Sequence, residues 1–189
     1  MFIPVTRACG KGLYMDLSGF VISDDRFFTL GLSALISQEL KGREYFRKYF
    51  IVDMDTSNYT QITDFDCLGK RIFAFISTDI DYYALQHLKN VTLLDRRSPI
   101  DEIVSFFLVD NSHSNYNVKC KLSKRENKVL TCMLEGLNTR EIGVRLKMDM
   151  KKFYGYRTSM IKKLQIKNRI FLYKIIANHG ATTRRFRGL

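Results

Sequence analysis

The sequence predicts two linked folds, α/β plus all-α: a small parallel sheet with helices, then a bundle of four short helices. Three observations carry this. Up to about residue 109, short apolar runs ending in polar residues alternate with helical patterns. From 119 to 180 the chain reads as four capped helices with tight connections. Between these stretches the charge changes sign. Lys119 to Leu189 holds 19 Lys and Arg against 4 acids, a net of +15, while the first 118 residues hold 12 against 15, a net of −3.

Residues 1–17 read as a flexible lead-in without the apolar stretch of a secretory signal, and Met15 is an alternative start. Gly19–Ser23 reads as a strand ending at Asp24 and Asp25. A helix from about Arg26 to Leu40 follows, with Phe27, Leu30, Leu35 and Ile36 at helical spacing. Tyr49–Val52 is a second strand, ending at Asp53 and Asp55. Ile72–Ile76 is a third, ending at Ser77, Thr78 and Asp79. Ile80 to Leu88 is helix-like, Val91–Leu94 is a fourth strand ending at Asp95, and Ser98-Pro99 opens a last helix through Ile103, Val104 and Phe107. Residues 18–109 therefore read as one α/β domain with polar residues gathered at the strands' C-terminal ends.

Asp110–Asn117 (DNSHSNYN) reads as a linker, taken to 118. Beyond it, Ser123 and Glu126 form a capping box ahead of Val129, Leu130, Met133 and Leu134, and Gly136 stops that helix. Asn138 or Thr139 caps a second helix burying Ile142 and Leu146. Asp149 caps a third, Met150 to about Leu164, with Phe153, Met160, Ile161 and Leu164 inward. Asn168 caps a fourth carrying Ile170, Leu172, Ile175 and Ile176. The second and third, joined by a turn of about three residues, have the form of a helix-turn-helix. The third presents Lys151, Lys152, Tyr154, Gly155, Arg157, Thr158 and Lys162 outward, and no acid occurs from Met150 to Arg169. An ordinary solvated face mixes in acids; this pattern points to a polyanion such as DNA. Residues 181–189, with Arg184, Arg185 and Arg187, read as a basic tail, either an accessory DNA arm or a disordered end.

These residues carry a family resemblance. L-S-x-R-E at 122–126, E-G-L-N-T-R-E-I at 135–142, R-L-K-M-D-M-K at 145–151 and K-K-L-Q-I-K-N-R at 162–169 resemble the LuxR/GerE-type helix-turn-helix of bacterial transcription regulators, with no gap over about sixty residues. The resemblance implies that helix Met150–Leu164 enters the major groove of double-stranded promoter DNA. Tyr154, Gly155 and Thr158 would then face bases, with Thr139, Lys151, Lys152, Arg157 and the corner Lys167, Asn168 and Arg169 on phosphates. The family usually has Lys or Ser at the Tyr154 position, His at that of Tyr156 and Thr at that of Lys152. Phosphate contacts are therefore expected to dominate affinity. The family dimerises through its final helix, which makes the Ile170–Ile176 stripe either an interface or plain core.

Regulators of this type often carry a phosphoacceptor receiver in front. Asp24 and Asp25 fit its acidic pair, Asp53 its acceptor, and Ser77 or Thr78 its hydroxyl. The lysine position after the last strand holds Asp95, which would repel a phosphoryl group. Only about eight residues separate the first helix from the Asp53 strand, so a second β-α unit is missing. The domain resembles a degenerate receiver of the auxiliary regulators of the RcsA and BglJ type. These act without phosphorylation, as homo- or heterodimers with another LuxR-type regulator. A phosphorylation switch at Asp53 is the alternative, and helix capping and loop solvation would also explain Asp24, Asp25 and Asp53.

No enzyme, cofactor or metal is expected. Ile51-Val52-Asp53-Met54-Asp55-Thr56 matches the opening motif of haloacid-dehalogenase-type phosphohydrolases, but too few residues follow for that fold. Cys9, Cys67, Cys120 and Cys132 lack metal or disulfide spacing, and no apolar run is long enough to span a membrane, so a cytoplasmic protein is expected. Autoinducer-sensing domains are longer and rich in Trp, and this chain has none.

Overall fold

Apolar runs of five or six residues bounded by polar turns pair side by side as parallel strands in the computed structural model. It describes residues 20–39, 49–54, 62, 69, 71–109, 114–166, 170, 172–173 and 175–177. The elements are β1 (Val21–Ile22), α1 (Arg26–Glu39), β2 (Tyr49–Asp53), β3 (Arg71–Ile76), α2 (Asp79–Leu85), β4 (Val91–Asp95) and α3 (Ile100–Val109). They are followed by α4 (Lys124–Leu134), α5 (Thr139–Leu146) and α6 (Met150–Lys163). The sheet runs β1-β2-β3-β4, all parallel, with Ile51 opposite Phe73 and Ala74 opposite Leu93. A flavodoxin-like sheet places its second strand outside the first. Among the described residues nothing pairs outside β1, where that second strand would lie, and the Asp53 strand lies directly beside β1.

Both faces of the sheet are buried, which is why its strands read as continuous apolar runs. Along β3 the side chains alternate. Phe73 and Phe75 join Leu32, Ile36, Ile51, Leu94 and Phe107 in a core under α1 and α3. Ile72, Ala74 and Ile76 face the other way, with Ile80, Leu85 and Leu93. That second core does not end at the sheet: it runs on through Tyr116 into Val129, Leu130, Ile142, Phe153 and Met160. The two halves thus share one apolar cluster.

The stretch expected to be a linker is fastened where it is described. Ser114 Oγ donates to the Leu93 carbonyl (2.7 Å), the Asp95 amide donates to Asn115 Oδ1 (2.8 Å), and Asn115 Nδ2 donates to Ser98 Oγ (2.8 Å). Its Ser and Asn residues, typical of loops, here satisfy the end of β4. Tyr116 is buried and donates to Asp79 Oδ1 (2.9 Å).

The helix ends follow their caps. Thr78 with Asp81, Ser123 with Glu126 and Asn138 with Glu141 form capping boxes, and Asp149 caps α6 through the Lys152 amide. Of the two caps proposed for α5, Asn138 is the one used. α4 closes on Gly136 (φ +76), with the Leu137 amide donating to the Cys132 carbonyl (3.1 Å) and the Gly136 amide to that of Met133 (2.9 Å). α5 and α6 close in the same way on Lys147 (φ 50) and Gln165 (φ 51), left-handed stops without a glycine to announce them. No helix among the described residues is long and apolar enough to cross a membrane.

Candidate nucleic-acid interface

α5 and α6 form the helix-turn-helix. The chain reverses at Lys147–Asp149, where the Met148 amide donates to the Gly143 carbonyl (2.9 Å). A Cβ on Gly143 would lie 3.1 Å from the Met148 carbonyl oxygen, so glycine lets the turn close tightly. Phe153 and Met160 anchor α6 in the core, with Leu146, Ile161 and Leu164 partly buried around them. The opposite face carries Lys151, Lys152, Tyr154, Gly155, Thr158 and Lys162, all exposed. Thr139 sits half-buried at the start of α5. Lys167, Asn168 and Arg169 lie outside the described residues.

Arg157 departs from the expected set. It is half-buried, its guanidinium lies 4.7 Å from the centre of the Tyr154 ring, and its Nη1 donates to Tyr173 Oη (3.1 Å). It braces Tyr154 from behind and ties α6 to the last helix, while Lys151 and Lys152 are exposed on the outer face, Lys152 3.4 Å from Asp149. Gly155 is informative for a different reason. A Cβ there would meet nothing within 4 Å, so no contact inside the protein calls for glycine in mid-helix, where it weakens the helix. A flat spot between Tyr154 and Thr158 suits close approach by a ligand. Of the apolar stripe in the last helix, Leu172 and Ile175 are core, whereas Ile170 and Tyr173 face outward.

α6 is held against α4 by a buried carboxylate. Glu126, 3% exposed, accepts from the Ser123 amide (2.7 Å), Ser159 Oγ (2.7 Å) and Lys163 Nζ (2.7 Å). Burial pushes its carboxyl up, but the bonds from Lys163, Ser159 and Ser123 outweigh burial and bring it down to about 2. The capping-box pattern reveals the Ser123 contact only; no local signal announces the two from α6.

A second clasp holds this domain to the sheet domain. Asp79, the first residue of α2, accepts from Tyr116 Oη, the Lys119 amide (3.1 Å) and the Cys120 amide (2.7 Å). Tyr83 Oη accepts from the Leu122 amide (2.9 Å) and donates to the Cys120 carbonyl (3.4 Å). The segment entering α4 is thus gripped by two side chains of α2, and the outer face of α6 stays exposed.

Residues 120–176 match the model of a known family, the bacterial regulatory proteins of the luxR family. This segment is a luxR-type regulatory domain. No curated protein matches the chain significantly. Among solved structures, the two-component response regulator RcsB in its DNA complex is 17% identical, over 83% of this chain and 96% of that one, with a TM-score of 0.42. RcsB of Salmonella typhimurium is 15% identical over 84% and 98%, with a TM-score of 0.41. Full-length FixJ of B. japonicum is 16% identical over 86% and 96%, with a TM-score of 0.34.

In front of the luxR-type domain, the acids at the strand ends come together around a residue the sequence pattern did not single out. Arg96 Nη2 lies 2.6 Å from Asp25 Oδ2 and 3.3 Å from Asp53 Oδ2, and Ser23 Oγ donates to Asp53 Oδ2 (2.8 Å). Asp25 also caps α1, accepting from the Phe27 and Phe28 amides, and the bond from Phe28 leads in holding its carboxyl below the usual range. Asp95 does not face this group. It forms a two-bond pair with Arg97, whose hydrogen bond holds its carboxyl low. The side chain that faces Asp53 is Arg96, one position further on, so the repulsion expected from Asp95 does not arise. Thr78 spends its hydroxyl on Asp81 (2.6 Å) as a cap, and Asp24 is exposed. Asp55, the second acid of the hydrolase motif, lies outside the described residues. A receiver's divalent cation would need the carboxylates that Arg96 already neutralises, so the residues here do not fit one.

Proposed function

We propose that the chain is a DNA-binding transcription regulator whose receiver-like half works without phosphorylation, as an auxiliary regulator pairing with itself or with another luxR-type regulator. The observation that carries the switch-free reading is Arg96, whose guanidinium sits between Asp25 and Asp53 where a phosphorylatable receiver would bind a metal ion. An acceptor aspartate paired with arginine through Oδ2 is partly neutralised, which weakens its draw on Mg²⁺. The clasp of Asp79 and Tyr83 supports the same reading, because the outer face of α6 stands exposed with the sheet domain in place.

Duplex DNA is the partner favoured by α6, an acid-free cationic helix with a glycine gap beside Tyr154 and Thr158. Pairing is supported by apolar residues that a lone subunit leaves in water: Phe27 (88% exposed), Leu30 and Ile100 on α1 and α3, beside a hollow of ≈270 Å³ lined by Phe28, Leu32, Leu35 and Ile103. A second regulator presenting its own apolar α1/α3 face is the proposed occupant.

Thermal melts with Mg²⁺ and beryllofluoride test the switch. Wild-type protein should show no stabilisation. Arg96→Ala, which vacates the acidic pocket, should gain a Mg²⁺-dependent rise in melting temperature. Stabilisation of the wild type that disappears in Asp53→Ala would overturn the proposal in favour of a phosphorylation switch.

A further inference from the structure

α4 carries a cationic face of its own, apart from the helix-turn-helix. Lys119, Lys121, Lys124, Arg125 and Lys128 are all exposed, and among the described residues none of them forms an ion pair. Glu126 is the only acid between Tyr116 and Leu134, and it is turned inward onto Ser159 and Lys163. The outer surface of this segment is therefore purely positive. Its placement also runs against helix electrostatics. Lys124 and Arg125 occupy the first turn of α4, the positive end of the helix dipole, where acids stabilise and cations destabilise. The acid of that turn, Glu126, is turned inward, and a helix built for stability alone would not place cations there.

The face adjoins the recognition helix. Lys163 in the last turn of α6 reaches Glu126 in the first turn of α4, so the C-terminal end of α6 abuts the turn of α4 that carries Lys124 and Arg125. A polyanion lying along α6 meets this cluster where α6 ends. We infer that Lys124, Arg125 and Lys128 form a second set of phosphate contacts to the same duplex that α6 occupies, so that the protein grips DNA backbone with two helices rather than one. This rests on the DNA-binding reading above and extends its footprint. Backbone contacts of this kind add affinity and salt dependence without reading sequence, consistent with an interface whose presumed base-facing side chains are Tyr, Gly and Thr.

The test is the salt dependence of binding by full-length protein to a generic duplex of about 20 base pairs at one-to-one stoichiometry, followed by fluorescence anisotropy. Combined Lys124→Gln, Arg125→Gln and Lys128→Gln should lower the slope of log affinity against log salt by about 2.7, three phosphates at roughly 0.9 each. Their melting temperature should not fall, since all three side chains are exposed and lose no contact. An unchanged slope in a folded triple variant would overturn the inference. So would a slope change seen only in complexes holding a second duplex, which would place these cations on separate DNA. Lys151→Gln separates the two levels of the argument: if it leaves binding intact, the α6 assignment itself fails, whatever α4 does.

Discussion

Replacing Glu126 with Gln should destabilise the protein by an amount that depends on pH in a set direction. The folded carboxyl lies at about 2 against an ordinary 4.5, so its ionised form is favoured by about 3 kcal/mol at neutral pH. Because the folded value is depressed, that contribution is complete above pH 4.5 and drains away as pH falls toward 2. Gln keeps the shape and an oxygen for Ser159 Oγ, but leaves Lys163 Nζ without its carboxylate. Lys163 is partly exposed and can turn to water, so the loss should fall at or just below 3 kcal/mol, under the range for a fully buried pair. For a chain of this size that corresponds to a drop of roughly 6–12 °C in melting temperature at pH 7. Melts followed by circular dichroism at pH 7, 5, 4 and 3 provide the assay, read as the difference between wild type and variant. Asp25, Asp95 and Asp149 also titrate below their usual range, but do so in both proteins and cancel in that difference. The gap should be constant from pH 7 to 5 and shrink below. Coincident melts at pH 7, or a gap that does not narrow toward pH 3, would refute the account of Glu126 as the ionic tie between α4 and α6.

Three further outcomes follow from the same contacts. Lys151→Ala should weaken binding across all duplex sequences and reduce the salt slope by about one, whereas Tyr154→Ala should change sequence preference with a smaller effect on the slope, both read by competition binding. Gly155→Ala should raise stability by about 0.5–1 kcal/mol, since the helix gains and nothing is crowded, yet weaken DNA binding; equal or tighter binding would show that the flat spot faces no ligand. Asp79→Ala removes the acceptor of three bonds and should cost about 1–3 kcal/mol, and trypsin should then cut after Lys119 or Lys121 faster than in wild type; unchanged cleavage would mean the clasp does not hold the segment.

Those parts of the molecule governed by local rules were legible in the sequence. Ser123, Asn138 and Asp149 start their helices by bonding their own backbone a few residues on, and Gly136 stops one, so boundaries in the luxR-type domain fall within a residue or two of expectation. The strands were legible because a sheet buried on both faces leaves unbroken apolar runs. What escaped was long-range. Arg96 meets Asp25 across 71 positions and Asp79 meets Cys120 across 41. No periodicity encodes such pairs, and the strand end alone points to Asp95 rather than to Arg96. The polar stretch before Tyr116 misled for a related reason: Ser and Asn are what a loop uses in solvent, and also what a segment uses to close a strand end.

The shared core changes what the sheet domain is for. β1 is only two residues long and forms an edge with nothing described outside it, so a sheet of this size has little to spare in burial. Its Ile72–Ile76 face is covered by α2, and the same apolar cluster continues into α4 through Tyr116. Separating the halves would expose that seam to water and strand the three donors that Asp79 accepts. The seam and the Asp79 clasp therefore oppose separation of the two halves. The sheet half is thus joined to the luxR-type helices by packing as well as by the chain. The exposed apolar α1/α3 face lies on the other side of the sheet from that seam, so the pairing proposed above would leave α6 undisturbed.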